Sequence, residues 1–571
     1  MQYKQRRGLA LGAALLLAPV LASSQTTYLP QGAPEQILIE RLEVKAQRDS
    51  VLNYSTVRPL SRKEFIPALL RQDSTQLSRV DRYNLYLAKI NNLEWVPEDW
   101  TNYASRKPVL KNFYRTPATL FEVHEPNFFL AVNPVLQYTV SKEQDNEQHL
   151  FLNTRGATLR GRIADKIGFY AIVTDNQERE PGYVQQFIAE RRAVPGAGFY
   201  KDFKAAGGVD YFDARGYVTF NAAKFIDISF GFDRNFIGAG YRSLFLSDFS
   251  APTTFLRLNT RIWKFHYQNL FMELNSANRL NADKLQPKKY AVMHHLDLGV
   301  TKWLNVGLFE GVIFGRTNHF EFGYLNPVIF YRSLEQQNGS FDNSVAGIDF
   351  KANAAKHFQF YGQLLLDEFK LSEIKSNRGW WANKFGYQLG AKYIDAFNVR
   401  NLDLQLEVNR VRPFTYSHND SVANYTHYNQ PLAHPLGANF QEVIGTVRYQ
   451  PAPKWLLLAK AMYYYQGRDT GLVSFGGNIF LPNQVPDPAD PVRNSIPHRT
   501  ADYGYYVGSG LRNKVAMASL LVSYQLRPNL FFELNGAYRR QSVNVAGVSD
   551  ASTFIFTGGV RWNIHRRDFD F

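Results

Sequence analysis

The segment His294-His295-Leu296-Asp297 has a spacing that turns His295 and Asp297 to one face if the chain is extended. Such a pair can hold a metal ion, act as an acid/base couple, or join a hydrogen-bonded ladder in a polar interior. Arg257, Asn259 and Arg261 repeat at every second residue, opposite Leu256, Leu258, Thr260 and Ile262. That basic ladder can pair with acidic neighbours or bind an anionic sugar chain. Glu310 stands in an apolar run where the alternation blurs. A β-bulge re-aiming it inward would require a basic partner for the buried carboxylate. Tyr503, Tyr505 and Tyr506 share a long polar stretch with Asp487, Asp490 and Arg493. Aromatic faces beside polar groups suit stacking on sugar rings, and equally suit anchoring at a membrane interface.

The familiar catalytic signatures are missing from this set. There is no Gly-x-Ser-x-Gly, no His-Glu-x-x-His and no phosphate loop. The chain has 0 Cys, which removes thiolate nucleophiles, thiolate zinc sites and haem attachment. The expectation is a protein that is not an enzyme and carries no cofactor. The remaining enzymatic possibility is a hydrolase acting on lipid or glycan through His295 and Asp297.

These side chains need elements with two unlike faces. From about residue 127 the apolar residues recur with period two. Leu402, Leu404, Leu406 and Val408 alternate with Asp403, Gln405, Glu407 and Asn409, and Ile226, Ile228, Phe230 and Phe232 alternate with Asp227, Ser229, Gly231 and Asp233. Alternation over eight to twelve residues fits a tilted strand with lipid on one side and a polar lumen on the other. About eighteen such segments follow one another up to residue 565. Their connections alternate between tight turns, such as Ala354-Ala355-Lys356 and Pro451-Ala452-Pro453, and long loops at 178–215, 235–252, 316–342, 413–439 and 467–513. Short turns on one side and long loops on the other predict an all-β, integral outer-membrane antiparallel β-barrel spanning 126–571. An even strand count puts both barrel ends on the short-turn, periplasmic side, with the long loops extracellular. Aromatics make up 15% of the residues, as a lipid face with interfacial girdles demands. Pro134 lacks a ladder donor inside the first strand, which predicts a bulge or an edge covered on closure.

Residues 1–24 read as a signal peptide. Lys4, Arg6 and Arg7 precede the apolar run Gly8 to Leu21, and Ala22-Ser23-Ser24 offers small residues before Gln25. Residues 25–125 are polar and partly helical, forming a small N-terminal periplasmic unit. Ser61 begins one helix, which Pro67 would kink or shorten. Ser78-x-x-Asp81 starts another, with Val80, Tyr83, Leu87 and Ile90 on one face. The chain ends in Phe571, and a terminal Phe on an amphipathic last strand resembles the signal read by the barrel-assembly machinery. The net charge of +15 favours anionic partners, an acidic polysaccharide or lipid headgroups, and the scattered basic residues argue against nucleic acid.

Several blocks resemble a known family. They are Arg58-Pro59-Leu60-Ser61-Arg62-Lys63, Gly240 to Asp248 (GYRSLFLSD), Phe255 to Leu274, Tyr324 to Arg332 (YLNPVIFYR), Asp342-Asn343 and Phe360 to Phe369. This pattern is similar to that of the Wzi-like capsule-assembly outer-membrane proteins, and within them to the Bacteroidetes branch of gliding motility protein RemB. The resemblance implies an eighteen-stranded barrel with a periplasmic helical part. It implies capsular or exopolysaccharide binding at the cell surface, or support of gliding together with a gliding or secretion apparatus. It supplies no catalytic residues. It would make 316–342 and 467–513 the glycan-facing loops. A porin or specific transport channel is the alternative.

Overall fold

The computed structural model describes residues 27–571 except 165, 278–284, 317–318, 487–490 and 546–548. The expected export signal lies outside the described residues. Eighteen long strands build the wall: β1 (Phe128–Glu143), β2 (Leu150–Ile163), β3 (Ile167–Arg179), β4 (Gly208–Ala223), β5 (Ile226–Asp233), β6 (Thr253–Ile262), β7 (Phe265–Asn275), β8 (Lys288–Gly299), β9 (Leu304–Phe314), β10 (Asn343–Ala354), β11 (Phe358–Glu368), β12 (Lys384–Tyr393), β13 (Leu402–Val411), β14 (Phe440–Ala452), β15 (Trp455–Arg468), β16 (Leu511–Arg527), β17 (Leu530–Val543) and β18 (Ala551–Trp562). Neighbours pair antiparallel in sequence order, and β18 closes onto β1 with Trp562 opposite Leu136. Closure leaves no free edge across the membrane, where an unpaired backbone group would find no water.

Alternation sorts the side chains as expected. Leu406, Leu308 and Ile348 face outward and are exposed, whereas Glu407, Asn409 and Asp349 face inward and are buried. The chief boundary difference is β4, which starts at Gly208 inside the segment expected to be loop. Val209 to Arg215 continue the ladder to β3 although their residue types do not alternate cleanly. Pro134 causes no bulge, since β1 and β2 keep register through Pro134 and Ala157. It falls in the gap between two partners on its other side. Phe128 to Val132 pair with a short strand, Phe121–Glu125, and Leu136 to Glu143 pair with β18. The missing N–H thus lies where no ladder bond is needed.

The N-terminal region folds into α1 (Pro34–Ala46), α2 (Arg62–Leu70) and α3 (Arg79–Ile90). Ser78 caps α3 by accepting from the Asp81 N–H at 2.9 Å. Pro67 stays within α2 and does not end it. Leu38, Ile39, Leu42, Phe65, Ile66, Leu69 and Leu85 form a separate small core, so the unit is held by its own apolar burial. It packs into the short-turn mouth of the barrel. Tyr54 donates to the Lys264 carbonyl at 2.8 Å, Asn53 to the Lys302 carbonyl at 2.7 Å, and Lys351 on β10 pairs with Glu43 of α1 at 2.8 Å.

Candidate functional site

Three inserts cross the lumen above this plug. In the segment joining β5 to β6, Phe236 and Ile237 pair with Arg58 and Val57 of the N-terminal unit. Leu244 and Phe245 are fully buried, and the Phe245 ring stacks on Phe309 of the wall at 4.4 Å. The Tyr241 and Arg242 N–H groups donate to the Glu407 carboxylate at 2.7 and 3.0 Å. Gly240 must be small, because a Cβ there would meet Glu407 Oε2 at 2.5 Å. The second insert, between β13 and β14, buries Tyr416, Tyr425, His427, Leu432 and His434. The third is the chain end. Strand β18 finishes at Trp562 on the short-turn side, and residues 563–571 turn into the lumen. Lys460 on β15 donates to Asp568 and Asp570, and Arg242 pairs with Asp570 at 3.0 Å and Glu442 at 3.2 Å. The last residue is therefore not on the last strand. Phe571 packs on Tyr183 and Phe187 of α4 (Gly182–Arg191), a helix in the long loop after β3, and on Phe249. Burial among aromatics and a run of ion pairs favour this course over extending the ladder.

The basic ladder on β6 faces inward and holds the plug. Arg257 is buried with its guanidinium 4.2 Å from the centre of the Tyr28 ring, and it donates to Asn235 at 2.8 Å. Among the described residues it has no carboxylate partner, contrary to the expected pairing across strands. Ring faces and amide oxygens take the place of a counter-charge. Asn259 accepts from Gln268 at 3.1 Å and donates to Tyr28. Arg261 pairs with Glu64 of α2 at 3.0 Å. His295 and Asp297 do share a face but do not pair with each other. His295 Nε2 meets Asp349 at 2.6 Å, and Asp297 accepts from Asn305 at 2.7 Å. Among the described residues no group of three His, Cys, Asp or Glu could hold a metal ion.

Glu310 corrects the bulge expectation. Strand β9 keeps register with both neighbours, and Glu310 shares the outward face with Leu308 and Val312. Its carboxylate accepts from the Tyr331 and Arg332 N–H groups at 3.0 and 2.8 Å. The loop returning over the outer wall, and not a basic side chain, satisfies it. Of the tyrosines expected at a glycan-facing surface, Tyr505 is instead buried against Phe414 and Phe475. Tyr503 and Tyr506 are exposed, with Arg378 stacked 4.1 Å from the Tyr503 ring centre and Tyr506 donating to the Asn377 carbonyl. The Arg493 side chain lies outside the described residues.

A feature unanticipated in the sequence lies at the long-loop end, a cleft of about 110 Å³ between α4, the β13–β14 insert and the wall. Arg191 on α4 stacks 4.2 Å from the Phe480 ring centre, and Arg539 on β17 lies 4.7 Å from that of Tyr183. Arg468, at the end of β15, completes the basic set, with Gln186, Gln466 and Gln541 beside it. Among the described residues no carboxylate forms an ion pair with any of the three arginines. Burial pushes the Arg191 guanidinium down to about 10; Glu190 works against this and the like charge of Arg468 adds to it. These positions lie on four separate segments, with no local spacing that could have revealed them.

A closed eighteen-stranded antiparallel barrel with a helical plug and inserts packed inside it defines an outer-membrane protein. Residues 128–475 match the family described as capsule assembly protein Wzi, and the chain belongs to that family. Among solved structures it is similar to Wzi of Escherichia coli, an outer membrane protein involved in group 1 capsule assembly and a carbohydrate-binding β-barrel, with 15% identity, a TM-score of 0.55, and coverage of 94% of this chain and 99% of the other. Pseudomonas aeruginosa OprD is more distant, with 12% identity and a TM-score of 0.40 over 75% of this chain and 94% of the other. Acinetobacter baumannii OccAB2 gives 10% identity and a TM-score of 0.40 over 76% and 98%. No curated protein matches the chain by sequence.

Proposed function

We propose that this protein binds acidic capsular or exopolysaccharide at its long-loop, extracellular face, as a lumen-filled barrel that does not conduct. The observation that carries this is the trio Arg191, Arg468 and Arg539. Three guanidiniums converge with two of them stacked on aromatic rings; Glu190 lines the same cleft, and among the described residues no carboxylate forms an ion pair with any of the three. Three guanidiniums around the single Glu190 carboxylate leave an excess of positive charge in the free protein, and an anionic ligand relieves it. Ring faces and amides around them suit sugar carboxylates and hydroxyls. Exposed Tyr503 and Tyr506 extend the same side. In this reading residues 1–24 direct export and the helical plug lies on the periplasmic side. Membership of the capsule-assembly family supports the class of ligand.

The test is binding of purified protein to an acidic capsular polysaccharide and to a neutral one. The acidic polymer should bind with affinity that falls steeply as salt rises, because exposed charges are screened. Arg191→Gln with Arg468→Gln should weaken it about tenfold, in line with two charge-assisted contacts. Equal binding of both polymers, or no loss in the double variant, would remove this site from the function.

A further inference from the structure

The outer wall of the barrel carries an unusual row. Asn269 on β7, His294 on β8 and Glu310 on β9 stand opposite one another, all facing outward. One pair further toward the short turns, the same face shows Leu308 and Ile348, 54% and 44% exposed, as lipid contact requires. Three polar side chains on a lipid face would cost several kcal/mol left bare. They are not bare, because the long loop between β9 and β10 folds back down the outside of the wall. Its Tyr324 and Tyr331 are fully buried against Phe271, Val292, Val312 and Phe314, all outward residues. Tyr267 donates to the Pro327 carbonyl at 2.6 Å and also hydrogen-bonds His294. Glu310 takes the Tyr331 and Arg332 N–H groups. Asp342 fastens the far end, accepting from Tyr324 at 2.7 Å and pairing with Arg316 at 2.7 Å.

This flap has a second face. Phe322, Val328 and Phe330 point away from the wall and are 81%, 82% and 79% exposed. The depth of Val328 and Phe330, which neighbour Pro327 and Tyr331, follows from the strand. Glu310 lies six residues from Leu304 at the short-turn end, roughly 20 Å along a strand rising about 3.3 Å per residue. With the usual tilt of about 40° that is roughly 15 Å of height, inside an apolar band about 25 Å tall. The foot of the flap therefore rests on the membrane-embedded wall, continuous with the lipid-facing belt at Leu308 and Ile348.

We propose that residues 322–330 form the membrane-embedded part of this flap, with Val328 and Phe330 packed among the acyl chains of the outer leaflet and Phe322 at their upper boundary. The polar row Asn269–His294–Glu310 is the docking strip for this flap. The loop is then a lipid contact and not part of the glycan surface that the family resemblance implied, and it moves the barrel's lipid boundary outward on this side. Acyl chain is the occupant because Pro327, held by Tyr267, brings Val328 to the level of the belt at Leu308, and Leu325, Val328 and Phe330 face outward there, while the exposed Arg332 guanidinium is paired with Glu335.

The chain lacks Cys, so single cysteines report cleanly. Val328→Cys and Phe330→Cys, labelled with a small fluorophore, are placed in nanodiscs of ordinary or acyl-brominated phosphatidylcholine. Leu308→Cys serves as the wall control and Leu472→Cys as the long-loop control. Folding is checked by heat-modifiable migration, and Phe322→Cys replaces any variant that fails it. The expected result is quenching by brominated chains at least half as strong as at position 308, with aqueous iodide several-fold less effective than at 472. Iodide quenching without bromine quenching would place the flap in solvent and overturn the proposal. Protection from both quenchers would mean a covering protein, such as a second copy, and overturn it equally.

Discussion

Lys460 of the barrel wall donates to the Asp570 carboxylate at 2.7 Å, which ties the penultimate residue of the chain to the inside of the lumen. Arg242 reaches the same carboxylate from the β5–β6 insert. One acidic side chain at the end of the chain thus joins a wall strand, an insert and the terminal tail. Burial raises the Asp570 carboxyl, but Arg242 and Lys460 outweigh it and hold it below the ordinary range.

Asp570→Ala should destabilise the folded barrel by about 3 kcal/mol, because it leaves two buried cations each short of a carboxylate. Glu442 and Asp568 remain, which keeps the loss from being larger. Thermal unfolding in detergent, followed by loss of β-sheet signal, measures it. Asp570→Asn, which keeps the shape, should show most of the same loss.

Arg41 pins the plug. Nearly inaccessible, it pairs with Asp81 of α3 at 2.9 Å and with Asp395 at 2.9 Å, and it also pairs with Asp403 at the foot of β13. Arg41→Ala should loosen the plug by about 3–5 kcal/mol, the usual cost of stranding buried carboxylates. Limited proteolysis should then cut within residues 34–90 at protease levels that leave the parent intact, while the barrel wall survives.

The same cluster sets an acid limit. Burial alone would raise the Asp81 carboxyl, but hydrogen bonds from Arg41 and the charges of Arg41 and Lys45 hold it at about 2, below its ordinary 3.8. A depressed carboxyl stabilises the fold fully above its unfolded value and loses that contribution as pH falls through the folded one. About 2 kcal/mol of the plug's own stability should therefore hold above about pH 4 and vanish toward pH 2. Protease protection of α1 to α3 against pH measures this; a plug released on raising pH would contradict it.

Glu310→Ala removes the acceptor for two flap N–H groups and should cost about 1–3 kcal/mol locally. Amide exchange at Tyr331 and Arg332 should rise at least tenfold, with the strand ladder of β9 unchanged. Uniform exchange across the loop in both proteins would show that the carboxylate does not hold it.

Single-channel recording of the full chain in a planar bilayer should show a silent barrel. Removing residues 563–571 takes out Phe571, Asp570 and Asp568 together and should produce brief openings. The helical plug and the β5–β6 insert still obstruct the way, so these should be small.

The period-two alternation by itself determined the barrel, its eighteen strands and the sorting of short turns from long loops. That pattern is local, set by one face meeting lipid and the other a polar interior, and any stretch of ten residues carries it. The N-cap at Ser78 and the stripe on α3 were legible for the same reason. The side to which Glu310 turns was not. Parity alone places it outward with Leu308, but a carboxylate there is intelligible only once a loop some twenty residues later supplies its N–H partners. Nor could spacing show that Arg257 would face Tyr28, that Phe571 would leave the last strand for the aromatic residues of α4, or that Arg191, Arg468 and Arg539 would meet. Each of these depends on contacts between segments tens to hundreds of residues apart, and those contacts exist only after the barrel has closed and fixed what lies inside it, above it and against its outer wall.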